Sequence, residues 1–254
     1  MKPLVPVRRA AGFRPHFFKE AFTRAVAGDA LFWPLQRAAG AFAGYDDFPP
    51  VDALGSVFRG EPPVRFVPAA PRRRRGASVD VRALYDARIT LDREVPTRDR
   101  CWHDLMNVLV WGTFPRSKLA LHARQHRAIA ERLAPGARRL PPTRTPELDA
   151  LALLDEGGVV IVAQAATATQ ADAPIVFGHA IYESLVLGVE PAVVAGIALP
   201  VVRAHNLAGL EWDILGAVDR ALAAFIGDEA ALRAPGELRR VRISRATTAP
   251  PGAR

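Results

Sequence analysis

The sequence predicts an α+β fold in which mixed helices pack on a small sheet containing a β-hairpin near residues 150–164. Three observations predict this class. Residues 99–113 and 210–227 carry apolar side chains at helical spacing. Two apolar runs flank a Glu-Gly-Gly sequence at 156–158, and glycines in such a place are typical of hairpin turns. Helices and strands do not alternate regularly, so we expect no series of βαβ units.

The first half of the chain reads as helices broken by proline and joined by loops. Residues 16–43 have helical spacing that Pro34 should interrupt. A short strand is expected at Val64–Val67, and residues 79–90 fit either a strand or a short helix. After the helix at 99–113, Pro115 sits where a second helix can start, and that helix should run to about Leu133.

The second half predicts the strands of the sheet and the last helix. Val159–Val162 is β-branched and fits a strand buried on both faces. Residues 175–188 should form a strand end followed by a helix, and residues 193–202 another strand. The amphipathic helix at 210–227 closes the fold.

Length and composition limit the class of protein. The chain has 254 residues, of which 50% are hydrophobic, enough for a sizeable core. We expect one domain at 15–230 and a disordered basic tail at 231–254. The single cysteine, Cys101, excludes an intrachain disulfide and should serve packing. With neither a signal-like apolar segment nor an apolar span of about 20 residues, we expect a soluble cytoplasmic protein without a transmembrane segment.

The positive charge is concentrated in the first third of the chain. The sequence has 34 Lys and Arg against 26 Asp and Glu, a net charge of +8, and residues 1–100 hold 18 against 11. Four adjacent arginines, Arg72–Arg75, stand in this third. Such a region could make weak contacts with nucleic acid, although a solvated loop is the simpler interpretation.

Three polar residues stand out in the apolar helix at 99–113. Asn107 lies four positions after His103 and three after Asp104, and such pairs share one side of a helix. Since an ionised carboxylate buried without a partner costs several kcal/mol, Asp104 needs a donor, a cation or a proton. The three residues predict a polar site or a buried network.

A second candidate pair is His179 and Glu183, four positions apart. The pair could bind a divalent metal through one imidazole and one carboxylate, or act as a base with its orienting partner. Asp155 and Glu156 at the predicted turn form a third acidic group, for which solvated turn residues are the simplest interpretation.

Five segments appear in an order that resembles a known family: YDARI (85–89), VPTR (95–98), WHDLMNVLVWGTFPRSK (102–118), LLDEGGVVI (153–161) and FGHAIYE (177–183). They resemble the bacterial domain of unknown function 3025 family over roughly residues 15–230. The family has no assigned activity. Gly112 stands where bulkier residues are usual, which predicts looser packing there.

The family motifs coincide with the polar residues, which favours one shared site. The leading hypothesis is a metal-assisted, hydrolase-like cleft with unknown cofactor: Asp104 and Glu183 as acidic groups, His103 or His179 as ligand or base, and Asn107 as orienting residue. One alternative is a non-catalytic nucleic-acid-binding protein. The other is a structural or interaction protein whose polar network fixes how two helices pack. The sequence alone leaves open whether the protein is an enzyme.

Overall fold

Helices and two small sheets make up the fold, which confirms the α+β class. A computed structural model describes residues 18–70, 80–133, 143–163, 174–189, 194–200, 211–241 and 243. Within these ranges, no helix is both long enough and apolar enough to cross a bilayer.

The N-terminal helices cover one side of the core. Helix α1 spans Phe18–Gly28 and is followed by a 3₁₀ helix at Ala30–Leu35 and by α2 at Gln36–Ala39. Pro34 lies inside the 3₁₀ segment, so the predicted interruption is confirmed. Phe18 stacks on Trp102 with ring centroids 5.2 Å apart, which ties this layer to the central helix.

Two consecutive helices form the centre of the fold. Helix α4 spans Trp102–Thr113 and α5 spans Pro115–Ala130, in agreement with the sequence prediction. A short helix α3 at Tyr85–Ala87, continued by a π turn, packs on α5. The sequence leaves strand and helix open for residues 79–90; the described part, residues 80–90, contains only helical segments.

Helix α8, Glu211–Gly227, packs along α5 and caps it. The buried Asp219 of α8 accepts hydrogen bonds from the backbone N–H of Ser117 at 2.8 Å and of Arg116 at 3.2 Å. Two N–H groups that the first turn of α5 cannot use internally are thereby satisfied.

The strands form two separate sheets. Strands β1, Arg65–Pro68, and β2, Glu94–Thr97, pair in parallel. The second sheet has the order β4-β3-β5-β6. Its strands are β3 (Gly158–Ala163), β4 (Ile175–Val176), β5 (Val194–Pro200) and β6 (Arg239–Val241). The central pair β3–β5 is parallel and the outer pairs are antiparallel.

The predicted hairpin near 150–164 is wrong. Helix α6 spans Pro146–Gly157 and passes directly into β3. Three leucines spaced by three positions, Leu148, Leu151 and Leu154, are buried, which is a helical and not an alternating pattern. The Thr145 side chain accepts from the N–H of Leu148 as an N-cap, and proline occupies the first turn. The glycines that predicted a turn therefore end a helix.

Part of the expected disordered tail is ordered. Strand β6 pairs with β5, and Leu232 and Leu238 are buried in the core. Burial of these two leucines anchors the segment. The basic composition of the tail gave no sign of this anchoring. Residues 244–254 lie outside the described residues. So does the arginine run 72–75, and nucleic-acid contact therefore stays a prediction.

Packing around Gly112 is tight, contrary to the expectation from the family pattern. A Cβ at this position would lie 2.8 Å from the Cβ of Val57 and 3.1 Å from the Cβ of Ala38. The absence of a side chain lets the 3₁₀ helix Val51–Val57 and α2 approach α4 closely.

We therefore expect Gly112→Ala to lower the free energy of unfolding by about 1–2 kcal/mol, because overpacking outweighs the better helix propensity of alanine. Chemical denaturation measures this. The matched control is Gly216→Ala in α8, where a Cβ would only meet Arg220 at 3.6 Å. The control should raise stability by about 0.5–1 kcal/mol. Equal stabilisation by both variants would contradict the close packing.

Candidate functional site

Two histidines from different helices face each other at the centre of the site. His103 lies in the first turn of α4, and His179 begins helix α7, which spans His179–Val186. Their Nε2 atoms are 2.9 Å apart, and the rings meet edge to face with centroids separated by 4.4 Å. The structure thus brings together two imidazoles that are 76 positions apart in the chain.

The close approach of α7 to the end of α6 requires a glycine. A Cβ on Gly178 would lie 2.4 Å from the nitrogen of Gly158 and 2.6 Å from the carbonyl oxygen of Glu156. The N–H of Gly178 instead donates to the carbonyl of Gly158 at 2.8 Å. This contact places His179 beside the last turn of α6, whose acidic residues therefore reach the imidazoles.

Two glutamates complete the centre. Glu183 Oε2 lies 2.9 Å from Nδ1 of His103. The two carboxylate oxygens of Glu156 lie 3.5 Å from Nε2 of His179 and 4.0 Å from Nε2 of His103. Glu156 is 46% exposed and His103 29% exposed, whereas His179 is only 4% exposed. The centre therefore has one buried wall and one side open to solvent.

A buried ion pair lies behind His179. Nζ of Lys118, whose side chain is 0% exposed, donates to Oδ1 of Asp155 at 2.5 Å. The same oxygen lies 3.7 Å from Nδ1 of His179. This Nδ1 atom is buried and has no hydrogen-bond partner among the described residues.

Neighbouring charges shift the pKa values of His103 and Asp155. Burial alone would lower the pKa of His103, but the hydrogen bond to Glu183 and the charge of Glu156 raise that pKa overall. Burial alone would raise the pKa of Asp155, yet the ammonium of Lys118 holds it well below its usual range. The two imidazoles lie between two carboxylates: Glu183 contacts His103, His103 contacts His179, and His179 faces Asp155.

The other two residues predicted from the sequence have different partners. Both oxygens of Asp104 accept hydrogen bonds from the Arg98 side chain, at 2.6 and 3.0 Å. The backbone N–H of Arg98 adds a third bond at 2.6 Å, so Asp104 holds the loop that precedes α4. The amide of Asn107 donates to the hydroxyl of Tyr85 at 3.1 Å. Of the five predicted residues, His103, His179 and Glu183 form one cluster.

Sequence reasoning missed three residues that contribute to the site. The sequence alone assigns Lys118 no role and predicts that Asp155 and Glu156 are solvated turn residues. Once α6 is a helix, Asp155 follows the buried Leu151 by four positions and lies near its buried face. Lys118 likewise stands three positions before the buried Leu121. The signal was helical spacing, which the apparent hairpin turn concealed.

Three residues of the cluster offer donor atoms that could hold a metal ion. One donor atom each from His103, Glu156 and His179 lies within 4.8 Å of the others. Glu183 and Asp155 stand on the far sides of the two imidazoles, facing Nδ1 of His103 and of His179 respectively. In metalloproteins, histidine ligands are commonly oriented by such carboxylates.

A second polar layer lies next to this cluster. Nδ1 of the buried His122 lies 2.9 Å from Oδ1 of Asp86, and its ring stacks on Trp111 at 5.6 Å. Burial, and then the charge of Lys118, lower the pKa of His122, although Asp86 and Asp155 oppose this shift. The folded protein therefore favours a neutral imidazole at this position.

Comparison with known proteins supports a family resemblance over part of the chain and indicates no activity. A family model described as a protein of unknown function (DUF3025) matches residues 65–173. The match confirms the family resemblance. It covers His103, Lys118 and Glu156, whereas His179 lies beyond its end. No curated protein and no solved structure matches the chain. Any function must therefore be argued from the site itself.

The neutral His122 predicts how stability depends on pH. As pH falls through about 6.5, His122 of the unfolded chain takes up a proton that the folded protein resists. The free energy of unfolding should therefore fall. In His122→Phe, which cannot titrate, this contribution is absent. Denaturation curves at pH 8, 7, 6 and 5 should show the wild type losing stability relative to the variant. A constant difference would contradict the lowered pKa.

Proposed function

We propose that the protein is a metal-dependent hydrolase whose divalent ion is held by His103, His179 and Glu156. The observation that carries the proposal is the 2.9 Å approach of two Nε2 atoms beside a carboxylate. The proposal replaces Asp104 and Asn107 of the initial hypothesis with Glu156. Asp104 is excluded because Arg98 engages both its oxygens.

Two neutral imidazoles can face each other at this distance if one Nε2 carries its proton, and a metal ion between two unprotonated Nε2 atoms is the alternative on which the proposal rests. Nδ1 of His103 faces Glu183, and Nδ1 of His179 faces Asp155. If each Nδ1 carries the proton that points to its carboxylate, both Nε2 atoms present lone pairs to each other. Two lone pairs at 2.9 Å repel, so a proton or a metal ion must lie between them. The nearby carboxylates attract either cation.

The spacing needs little adjustment to fit a metal. Zinc binds imidazole nitrogen at about 2.0–2.1 Å, so two tetrahedral ligands would stand about 3.3 Å apart. The observed 2.9 Å therefore has to widen by a few tenths of an ångström. Two histidines and one glutamate are a known catalytic zinc set, which leaves the fourth position for water.

Such an ion would supply hydrolytic chemistry. A bound divalent metal lowers the pKa of its water to about 7 and polarises a carbonyl or phosphoryl oxygen. Partial exposure of His103 and Glu156 gives water and substrate a route to the ion. Glu183 would keep His103 oriented throughout. The same donor set also holds Fe(II) in oxygenases, so the identity of the metal is part of the test.

Metal binding tests the proposal first. Protein purified without a polyhistidine tag and stripped with chelator should bind one equivalent of Zn²⁺, measured by calorimetry and elemental analysis. His179→Ala and Glu156→Gln each remove a donor and should weaken affinity by more than about 100-fold, beyond the effect usual for outer-shell residues.

The matched control is His126→Ala, which removes a histidine of α5 that is not part of the cluster. This variant should bind zinc like the wild type. No stoichiometric binding by the wild type, or equal binding by all four proteins, would contradict the metal site.

Hydrolysis is the second test. A panel of p-nitrophenyl acetate, bis-p-nitrophenyl phosphate and peptide p-nitroanilides should include at least one substrate that the zinc-loaded protein cleaves. Activity should disappear on chelation, return with Zn²⁺, and be lost in His179→Ala. Two results would contradict a metal-dependent hydrolase. One is iron in the purified protein together with oxygen consumption, and the other is hydrolysis that chelation does not affect.

A further inference from the structure

We propose that Lys118 is a positioning residue that acts through Asp155 to fix which nitrogen of His179 faces the metal. The inference rests on the proposed metal site and explains how the Nε2 atom of His179 stays unprotonated for the metal. The side chains concerned come from three helices: Lys118 from α5, Asp155 from α6 and His179 from α7.

The location of Lys118 is unfavourable for a cation. Its side chain is fully buried, and a buried ammonium loses its hydration. Lys118 also stands in the first turn of α5, where the helix dipole is positive and disfavours a positive charge. Its ammonium lies 2.5 Å from Asp155 and 5.7 Å from the centre of the Trp111 ring. These two contacts compensate the cost of burial.

The buried pair of Lys118 and Asp155 should contribute little to the free energy of unfolding. Replacing a buried ion pair by apolar side chains of similar volume is often neutral or stabilising, because desolvation offsets the mutual attraction. A role beyond stability accounts better for a buried lysine at this position.

The geometry identifies that role. Oδ1 of Asp155 accepts from Lys118 and is also the oxygen that faces Nδ1 of His179 at 3.7 Å. A displacement of less than about 1 Å would complete a hydrogen bond from Nδ1–H. A proton on Nδ1 leaves the lone pair on Nε2, which faces His103. Lys118 thus holds the carboxylate that selects the metal-binding tautomer.

The two histidines are oriented by carboxylates of different character. Glu183, which orients His103, is 25% exposed and can exchange its contact with water. Asp155 is anchored by a buried ammonium, so His179 and not the carboxylate makes the adjustment that completes their hydrogen bond. The two carboxylates therefore differ in how freely they can leave their imidazole. Loss of Lys118 should affect the metal through His179 alone.

Zinc titration of chelator-stripped, full-length protein tests the inference. Lys118→Met keeps the length of the side chain and removes its charge. It should weaken zinc affinity by about 10- to 100-fold, the range typical of residues that orient a ligand. Because an unpaired buried carboxylate can destabilise the fold, Lys118→Met/Asp155→Leu is the second variant. It should fold with near wild-type stability and still bind zinc weakly.

The control is another ion pair of the same helix, one whose cation is buried. Arg124, 2% exposed, pairs with Glu147 of α6 at 2.6 Å. Arg124→Met/Glu147→Leu should lose stability, because Arg124 also donates to three backbone carbonyls, those of Ile226, Asp228 and Ala231. Its folded fraction should bind zinc with wild-type affinity.

The tautomer itself provides a readout that does not need the metal. ¹⁵N chemical shifts of His179 in metal-free wild type should report a proton on Nδ1, and both Lys118 variants should show a mixture of tautomers. Wild-type tautomer and affinity in these variants would overturn the inference. If the wild type binds no zinc, the proposed function fails, and the ¹⁵N shifts still decide whether Lys118 positions His179.

Discussion

The contact between the imidazoles of His103 and His179 is the interaction on which the site depends. It joins α4 to α7 through polar atoms, whereas most of the surrounding surface of these helices is apolar. Glu183 and Asp155 face the Nδ1 atoms on the outer sides of the two rings, and Glu156 lies beside the two Nε2 atoms. Imidazoles that carry their protons outward present bare nitrogens inward. The proposed cation between the rings would satisfy all these groups together.

The rest of the fold serves this contact by fixing the ends of helices. Gly178 allows α7 to begin against the backbone at the end of α6, and this places both acidic residues of α6 beside His179. The α4 end is held differently: Arg98 binds Asp104 across the loop that leads into the helix. Asp104, which looked like a catalytic acid, orients the turn from which His103 projects. A polar residue that stands out in the sequence can thus hold the backbone next to a candidate site without being part of it.

Helical periodicity made much of the fold predictable. Helices α4, α5 and α8 and strands β3 and β5 lie where their apolar spacing placed them. The hairpin prediction was wrong because Gly157 and Gly158 can end a helix as well as form a turn. That error had a consequence for the site, since it assigned Asp155 and Glu156 to solvent. Helical spacing places Lys118 on the same side of α5 as the buried Leu121, but the contact of its ammonium with Asp155 depends on helices distant in sequence.

The central claim is that one ion binds between the two imidazoles with Glu156 as third ligand. An X-ray absorption spectrum of the protein loaded with one equivalent of zinc tests this most directly, since it reports the number and type of nearest atoms. The account predicts a low-coordinate shell of nitrogen and oxygen at about 2.0–2.1 Å with the outer-shell signature of two imidazoles. A spectrum without imidazole scattering, or with a sulfur ligand, would contradict it.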